Sequence, residues 1–217
     1  MMAEEADRIA AETYARIQPN QKRAEYRWLA RRVAETVGSP RTVLEIGTER
    51  GGTLALWTAL AAPGARVVAV DNDAGRLLGD VGRAAGGRTD RLRVSLVGED
   101  SHDPATVAAV TRLVPVGSAD VVFIDGDHSY AGVSRDLRVY GPLTRLGGVV
   151  AFHDINPHGT QLPDYAFIEV SRLWAELRAQ FPDSSEQCVE NPEQICMGIG
   201  ILHVDPGVRD WLAADWP

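Results

Sequence analysis

ADVVFIDGDHSYAGVSRDLRVYGPLTRLGGVVAFHDI, residues 119–155, is the stretch whose reading decides the fold. Val121-Val122-Phe123-Ile124 and Val149-Val150-Ala151-Phe152 are short apolar runs of the kind that parallel strands buried on both faces require. Between them, Tyr130 to Leu146 carries helical spacing and is closed by Gly147-Gly148, a helix-stop signal. Two parallel strands joined by a helix bring both C-terminal ends to one edge of the sheet. Asp125, Asp127 and His128 therefore face His153 and Asp154 across a single crevice.

Outward from this unit, the chain alternates strand and helix. Upstream, helices are expected over 3–17 and 21–37, interrupted by Pro19-Asn20 and ended by Gly38-Ser39-Pro40. Preceding the first strand, they are placed to lie over the C-terminal edge of the sheet as a lid or to cover its face. Strands follow at Val43–Ile46, Val67–Val70 and Leu92–Val97, with helices from Thr53 to Ala61, from Ala74 to Ala85 and from Asp103-Pro104 to Val114. Downstream come a helix from Asp164 to Gln180 and two strands, 187–190 and 197–204. Alternating β and α units imply one domain: residues 1–40 a helical lid, residues 41–217 a mostly parallel α/β core with helices on both faces.

With 30 acidic against 22 basic residues, the chain carries a net charge of −8, which argues against a nucleic-acid or anionic-membrane partner. No stretch reaches the ~20 apolar residues of a membrane span. Cys188 and Cys196, without a secretion signal, point to reduced thiols and a cytoplasmic setting.

Val43-Leu44-Glu45-Ile46-Gly47, then Thr48 and the pair Gly51-Gly52 ahead of a helix, form a nucleotide-type loop. It is not a dinucleotide fingerprint, since Glu49 stands where the second glycine belongs, and no Gly-Lys-Ser/Thr makes it a P-loop. An acid on the first strand suits a positively charged ligand better than a pyrophosphate.

The order of E-I-G-x-x-x-G-G, Asp71 after VVAV, Glu99-Asp100 and FIDGDHSY resembles the class I S-adenosylmethionine-dependent methyltransferases over nearly the whole chain. The resemblance implies a Rossmann-like fold with a seven-stranded sheet ending in an antiparallel C-terminal hairpin. It also implies S-adenosylmethionine as cofactor: Glu45 and Gly47 at its amino-acid part, Asp71 at the ribose, Asp100 or Ser101 at the adenine, and Thr48, Gly51, Gly52 and Asp125 also among the cofactor-binding residues. FIDGDHSYAGVSRDL with PLTRLGGVVAFHDI is similar to the bacterial branch of cephalosporin 7-methoxylation proteins and macrolide-sugar O-methyltransferases. That branch is typically magnesium-dependent, and its metal positions correspond to Asp125, His153 and Asp154 here. His153 replaces a residue commonly acidic in relatives, and imidazole favours a softer ion such as manganese, iron or zinc over magnesium.

The chemistry expected is methyl transfer to a hydroxyl of a small molecule, a sugar or natural product, with His128 as general base. Asp127 could orient His128 or complete a metal shell, and Asn156 and His158 could touch substrate. Two alternatives stay open: a metal-independent methyltransferase using His128 or His153 alone, and a non-catalytic cofactor-binding subunit. Small members of the fold often pair through their N-terminal helices, so a homodimer is one expected arrangement.

Overall fold

The computed structural model describes residues 1–73 and 91–214; the helix expected over 74–85 lies outside them. In chain order the elements are α1 Ala3–Ile17, α2 Arg23–Val37, β1 Thr42–Ile46, α3 Gly52–Leu60, β2 Arg66–Val70, β3 Arg93–Val97 and α4 Pro104–Leu113. There follow β4 Ala119–Ile124, α5 Tyr130–Tyr140, β5 Thr144–His153, α6 Val170–Gln180, β6 Ser185–Cys188, β7 Ile199–His203 and α7 Pro206–Ala213. The described strands form one seven-stranded sheet in the order β3-β2-β1-β4-β5-β7-β6. β1 to β5 pair in parallel, while β7 is antiparallel to both β5 and β6. The Rossmann-like arrangement with its antiparallel C-terminal pair is thus the one expected.

Strand alternation splits the core cleanly. Val43, Val67, Ala69, Val121, Phe123, Val149 and Ala151 pack beneath α1, α2 and α3. Leu44, Val68, Val122, Ile124, Val150 and Phe152 pack against α4, α5, α6 and α7 on the other face. A fully buried side chain of this size contributes roughly 1.5–3 kcal/mol, so both faces are firmly held and every strand end is placed by its register. The two N-terminal helices cover a sheet face; their connection, residues 18–22, and the first turn of α2 reach the edge where the strands end.

Three expectations are corrected by local chemistry. α5 stops at Tyr140 instead of running to Leu146, because Gly141-Pro142 follows and proline neither donates a backbone hydrogen bond nor tolerates a helix interior. β5 accordingly starts at Thr144, ten residues long. α6 starts at Val170, not Asp164, with a single 3₁₀ turn at Pro163–Tyr165 ahead of it. α7 was not expected, although Asp205-Pro206 repeats the signal of Asp103-Pro104: in both helices the aspartate caps a backbone N–H and proline opens the first turn.

Candidate active site

Ile46, Ile124 and Phe152 lie level across β1, β4 and β5, so Gly47, Asp125 and His153 follow side by side at the strand ends. Gly47 has φ 79°, and a Cβ there would stand 2.1 Å from the carbonyl oxygen of Asp125. Only glycine lets the two strand ends come so close.

Four groups converge at this point. His128 Nε2 lies 3.4 Å from Asp125 Oδ1 and 3.4 Å from Asp154 Oδ2, within ion-pair reach but without hydrogen-bond geometry. His153 Nδ1 lies 3.3 Å from the same Asp125 oxygen and 3.5 Å from the same Asp154 oxygen. The ligand atoms of Asp125, His128 and Asp154 all fall within 4.8 Å of one another. His128, expected as the base, therefore stands among the candidate metal ligands, while His153 sits deeper, 4% exposed, its Nε2 buried without a partner.

The electrostatics follow from that packing. Burial works against a charge on His153, but Asp125 and Asp154 overcome it and raise its pKa well above the usual value. For His128, too, burial is outweighed by Asp125, with Asp154 adding to the rise. Burial would push both carboxyls up, yet the His153 charge holds Asp125 and Asp154 low.

Asp154 reaches the cleft through its backbone. Its φ of 58° is left-handed, tolerated by aspartate at a cost, and Oδ1 is fixed by the N–H of Met197 at 2.8 Å. A further participant carries no motif: Gln21, 5% exposed in the α1–α2 connection, donates through Nε2 to Asp125 Oδ2 at 3.0 Å. One oxygen of Asp125 is thus held by Gln21 while the other faces the imidazoles.

The expected cofactor residues divide. Gly47, Asp71, Asp100, Ser101 and Asp125 line a cleft of about 690 Å³ along the strand ends, together with Glu49. Glu45, Thr48, Gly51 and Gly52 do not line it. Glu45 shares the face of Val43, so its carboxyl points under α3, where Thr48, Thr53 and Trp57 all donate to it. Burial pushes its pKa up to about 8 against those three donors. Gly52 is required by packing, a Cβ there meeting Pro19 at 2.4 Å, and Gly51, at φ 74°, turns the chain into α3. Asp71 Oδ2 accepts the N–H groups of Thr48 and Glu49 at 2.8 and 2.9 Å, pinning the glycine loop.

At the other end of the cleft, Ser101 donates to Asp136 at 2.9 Å and His102 Nε2 lies 3.1 Å from the same oxygen. Burial raises the Asp136 pKa to about 6. Its position on the apolar stripe of Val133, Leu137 and Tyr140 was the sequence signal for a buried acid. Asp127 also lines the cleft, and its carboxylate accepts the N–H of Ser129 at 2.9 Å. Asn156 instead braces the loop before β7 through the carbonyls of Pro192 and Gln194, and exposed His158 does not line the cleft. Both cysteines are free.

An acid-rich cleft at the carboxyl ends of a doubly wound sheet, between β1 and β4, is where such folds bind their ligands. Residues 44–155, more than half of the chain, match the model of a methyltransferase-domain family. The chain belongs to that family. It is a methyltransferase, and its fold is that of solved O-methyltransferases. The Streptomyces achromogenes O-methyltransferase TomG, involved in tomaymycin synthesis and solved with S-adenosylmethionine, is 19% identical, with 93% of this chain and 90% of that one covered at a TM-score of 0.64. A Bacillus cereus O-methyltransferase in complex with SAH is 17% identical, covering 92% and 90%, TM-score 0.58. The mycinamycin-pathway methyltransferase MycE, solved with Mg and SAH, is 16% identical, covering 91% of this chain and 55% of that one, TM-score 0.60. No curated protein matches the chain. Among the described residues, no helix is long and apolar enough to cross a membrane.

Proposed function

We propose that this methyltransferase transfers a methyl group from S-adenosylmethionine to a hydroxyl of a small molecule, with a divalent cation held by Asp125, Asp154 and an imidazole. The observation that carries the reading is the gathering of Asp125, His128 and Asp154 ligand atoms within 4.8 Å at the edge of the acidic cleft. Two carboxylates and an imidazole form a donor set suited to magnesium or manganese, and the buried, unpartnered nitrogens of His128 and His153 fit a site completed by a ligand. When bound, the cofactor supplies an electrophilic methyl group and the cation lowers the pKa of the acceptor hydroxyl.

The chain's own residues do the rest. Asp71, at the end of β2, would hold the ribose, and Asp100 and Ser101, which line the same cleft, would meet the adenine. The carboxylates along the cleft favour a sulfonium and an ammonium over an anion. His128, 29% exposed at its side chain and beside both acids, orients the acceptor when its own imidazole is the ligand, and receives the hydroxyl proton when His153 supplies the imidazole instead.

A metal-free version has an observation of its own in favour. His153 Nδ1 already bridges Asp125 and Asp154, so the two acids are balanced by imidazole alone. Calorimetric titration with S-adenosylmethionine, and separately with Mg²⁺ and Mn²⁺, distinguishes the two. The expected result is cofactor binding plus a metal site abolished by Asp125→Ala and by Asp154→Ala. Cofactor binding without a metal site would establish the metal-free version; no cofactor binding would sink both.

A further inference from the structure

The cleft has two unlike ends. Seven carboxylate side chains line it and, among the described residues, no lysine or arginine does. Beyond the Asp125–His128–Asp154 cluster the lining turns apolar, with Tyr165 and Ile168 from the loop after β5, and Ile195 and Met197 from the loop before β7.

The apolar lining continues outward. Seven large hydrophobic side chains are exposed among the described residues, and four of them, Leu162, Tyr165, Phe167 and Ile195, belong to these two loops. Single exposed hydrophobic side chains are ordinary, but such a concentration beside a reactive cluster marks a ligand surface. Phe167 is 60% exposed, and its ring stacks on that of His128 with centroids 6.4 Å apart and planes 27° from parallel. This placement is held by the backbone, since Glu169 N–H donates to the His128 carbonyl at 2.8 Å and the Glu169 side chain accepts from Tyr130 N–H at 3.1 Å. The aromatic wall and the reactive imidazole therefore form one unit.

Resting on the methyltransferase reading above, we infer that the methyl acceptor is an uncharged, flat, hydroxylated ring of the phenol or catechol class, seated on Phe167 and Tyr165 with its hydroxyl toward His128. An anionic acceptor such as a carboxylate, a phosphate or an acyl-nucleotide thioester would meet seven carboxylates and, among the described residues, no lysine or arginine. A sugar would press several hydroxyls against Ile168, Ile195 and Met197 and leave them without partners, which costs affinity. A flat ring instead buries its faces against aromatic and aliphatic groups and offers one or two oxygens to the polar cluster.

The test is equilibrium binding to the full chain loaded with SAH and Mg²⁺, a pair that cannot turn over. Three probes are compared at pH 8: catechol, 3,4-dihydroxybenzoate and methyl glucoside. Catechol should bind, the carboxylate analogue about tenfold or more weaker, and the glucoside not at all over the same range. Phe167→Ala should weaken catechol about three- to tenfold, the worth of one aromatic contact, and leave SAH affinity unchanged. Catechol failing to bind, binding no better than the carboxylate or the glucoside, or ignoring Phe167→Ala would overturn the inference alone. Absence of SAH binding would instead overturn the proposed function, and the acceptor class with it.

Discussion

The ends of β4 and β5 and the end of β1 lie next to each other in the sheet and treat their polar groups in opposite ways. At β1, Glu45 is surrounded by three donors from its own chain, and Asp71 from β2 spends one oxygen on two N–H groups of the glycine loop. At β4 and β5, His128 and His153 each keep a buried Nε2 without a hydrogen-bond partner, and carboxylates crowd Nε2 of His128 and Nδ1 of His153. Satisfied polar groups hold a scaffold in shape. Unsatisfied ones cost free energy on folding, and a site retains them when a ligand completes the set. The contrast separates the part of the motif that builds the loop from the part that meets chemistry.

The largest expected effect concerns His128. His128→Ala should lower kcat roughly 10²–10⁴-fold while leaving the dissociation constant for S-adenosylmethionine unchanged, measured by steady-state kinetics beside calorimetry. Equal loss of cofactor affinity would move His128 to the binding end and blur the comparison. Asp71→Ala should do the opposite, freeing the loop N–H groups of Thr48 and Glu49 and removing the acid proposed for the ribose. Loss of charge-assisted hydrogen bonds worth about 1.5–3 kcal/mol predicts cofactor affinity falling on the order of 10–100-fold, with bound-state kcat less affected.

Gln21→Ala sharpens the comparison from outside the sheet. Without Gln21 the Asp125 carboxylate loses its fixed orientation, and Mn²⁺ affinity should fall about tenfold in a direct metal titration, with cofactor affinity retained. Unchanged metal affinity would reduce Gln21 to a packing residue of the helix connection.

The smallest effect belongs to Glu45 and reads stability. Its carboxyl ionises near 4.5 when unfolded and near about 8 when folded, so the folded state holds its proton more tightly. The stabilisation is complete below the unfolded value and is lost as pH rises through the folded one. Glu45→Gln should therefore gain thermal stability relative to the parent as pH is raised from 5 to 9, by about 2–4 °C for each kcal/mol recovered. Cofactor affinity should stay as it was. A marked loss of affinity would place Glu45 in the cofactor site after all.

The apolar strands, their parallel order and the pairing of Asp125 with His153 were legible because a buried strand must be apolar and because a βαβ unit joins two strand ends on one edge. Asp103-Pro104 and Asp205-Pro206 carry the same capping chemistry, so α7 could have been read where α4 was. The length of α5 is likewise written in Gly141-Pro142, which stops the helix six residues ahead of the pair Gly147-Gly148.

By itself, then, the sequence determined the sheet, the edge of the site and the residues Asp125, His128, His153 and Asp154 that meet there. Tertiary structure alone decided which way the remaining side chains turn. Strand parity sends Glu45 under α3, a left-handed backbone swings Asp154 into the cleft, and Gln21 arrives from an inter-helix connection 104 residues away in sequence. Periodicity encodes burial along one element, whereas contacts between elements depend on how their faces are set against each other, which no local pattern records.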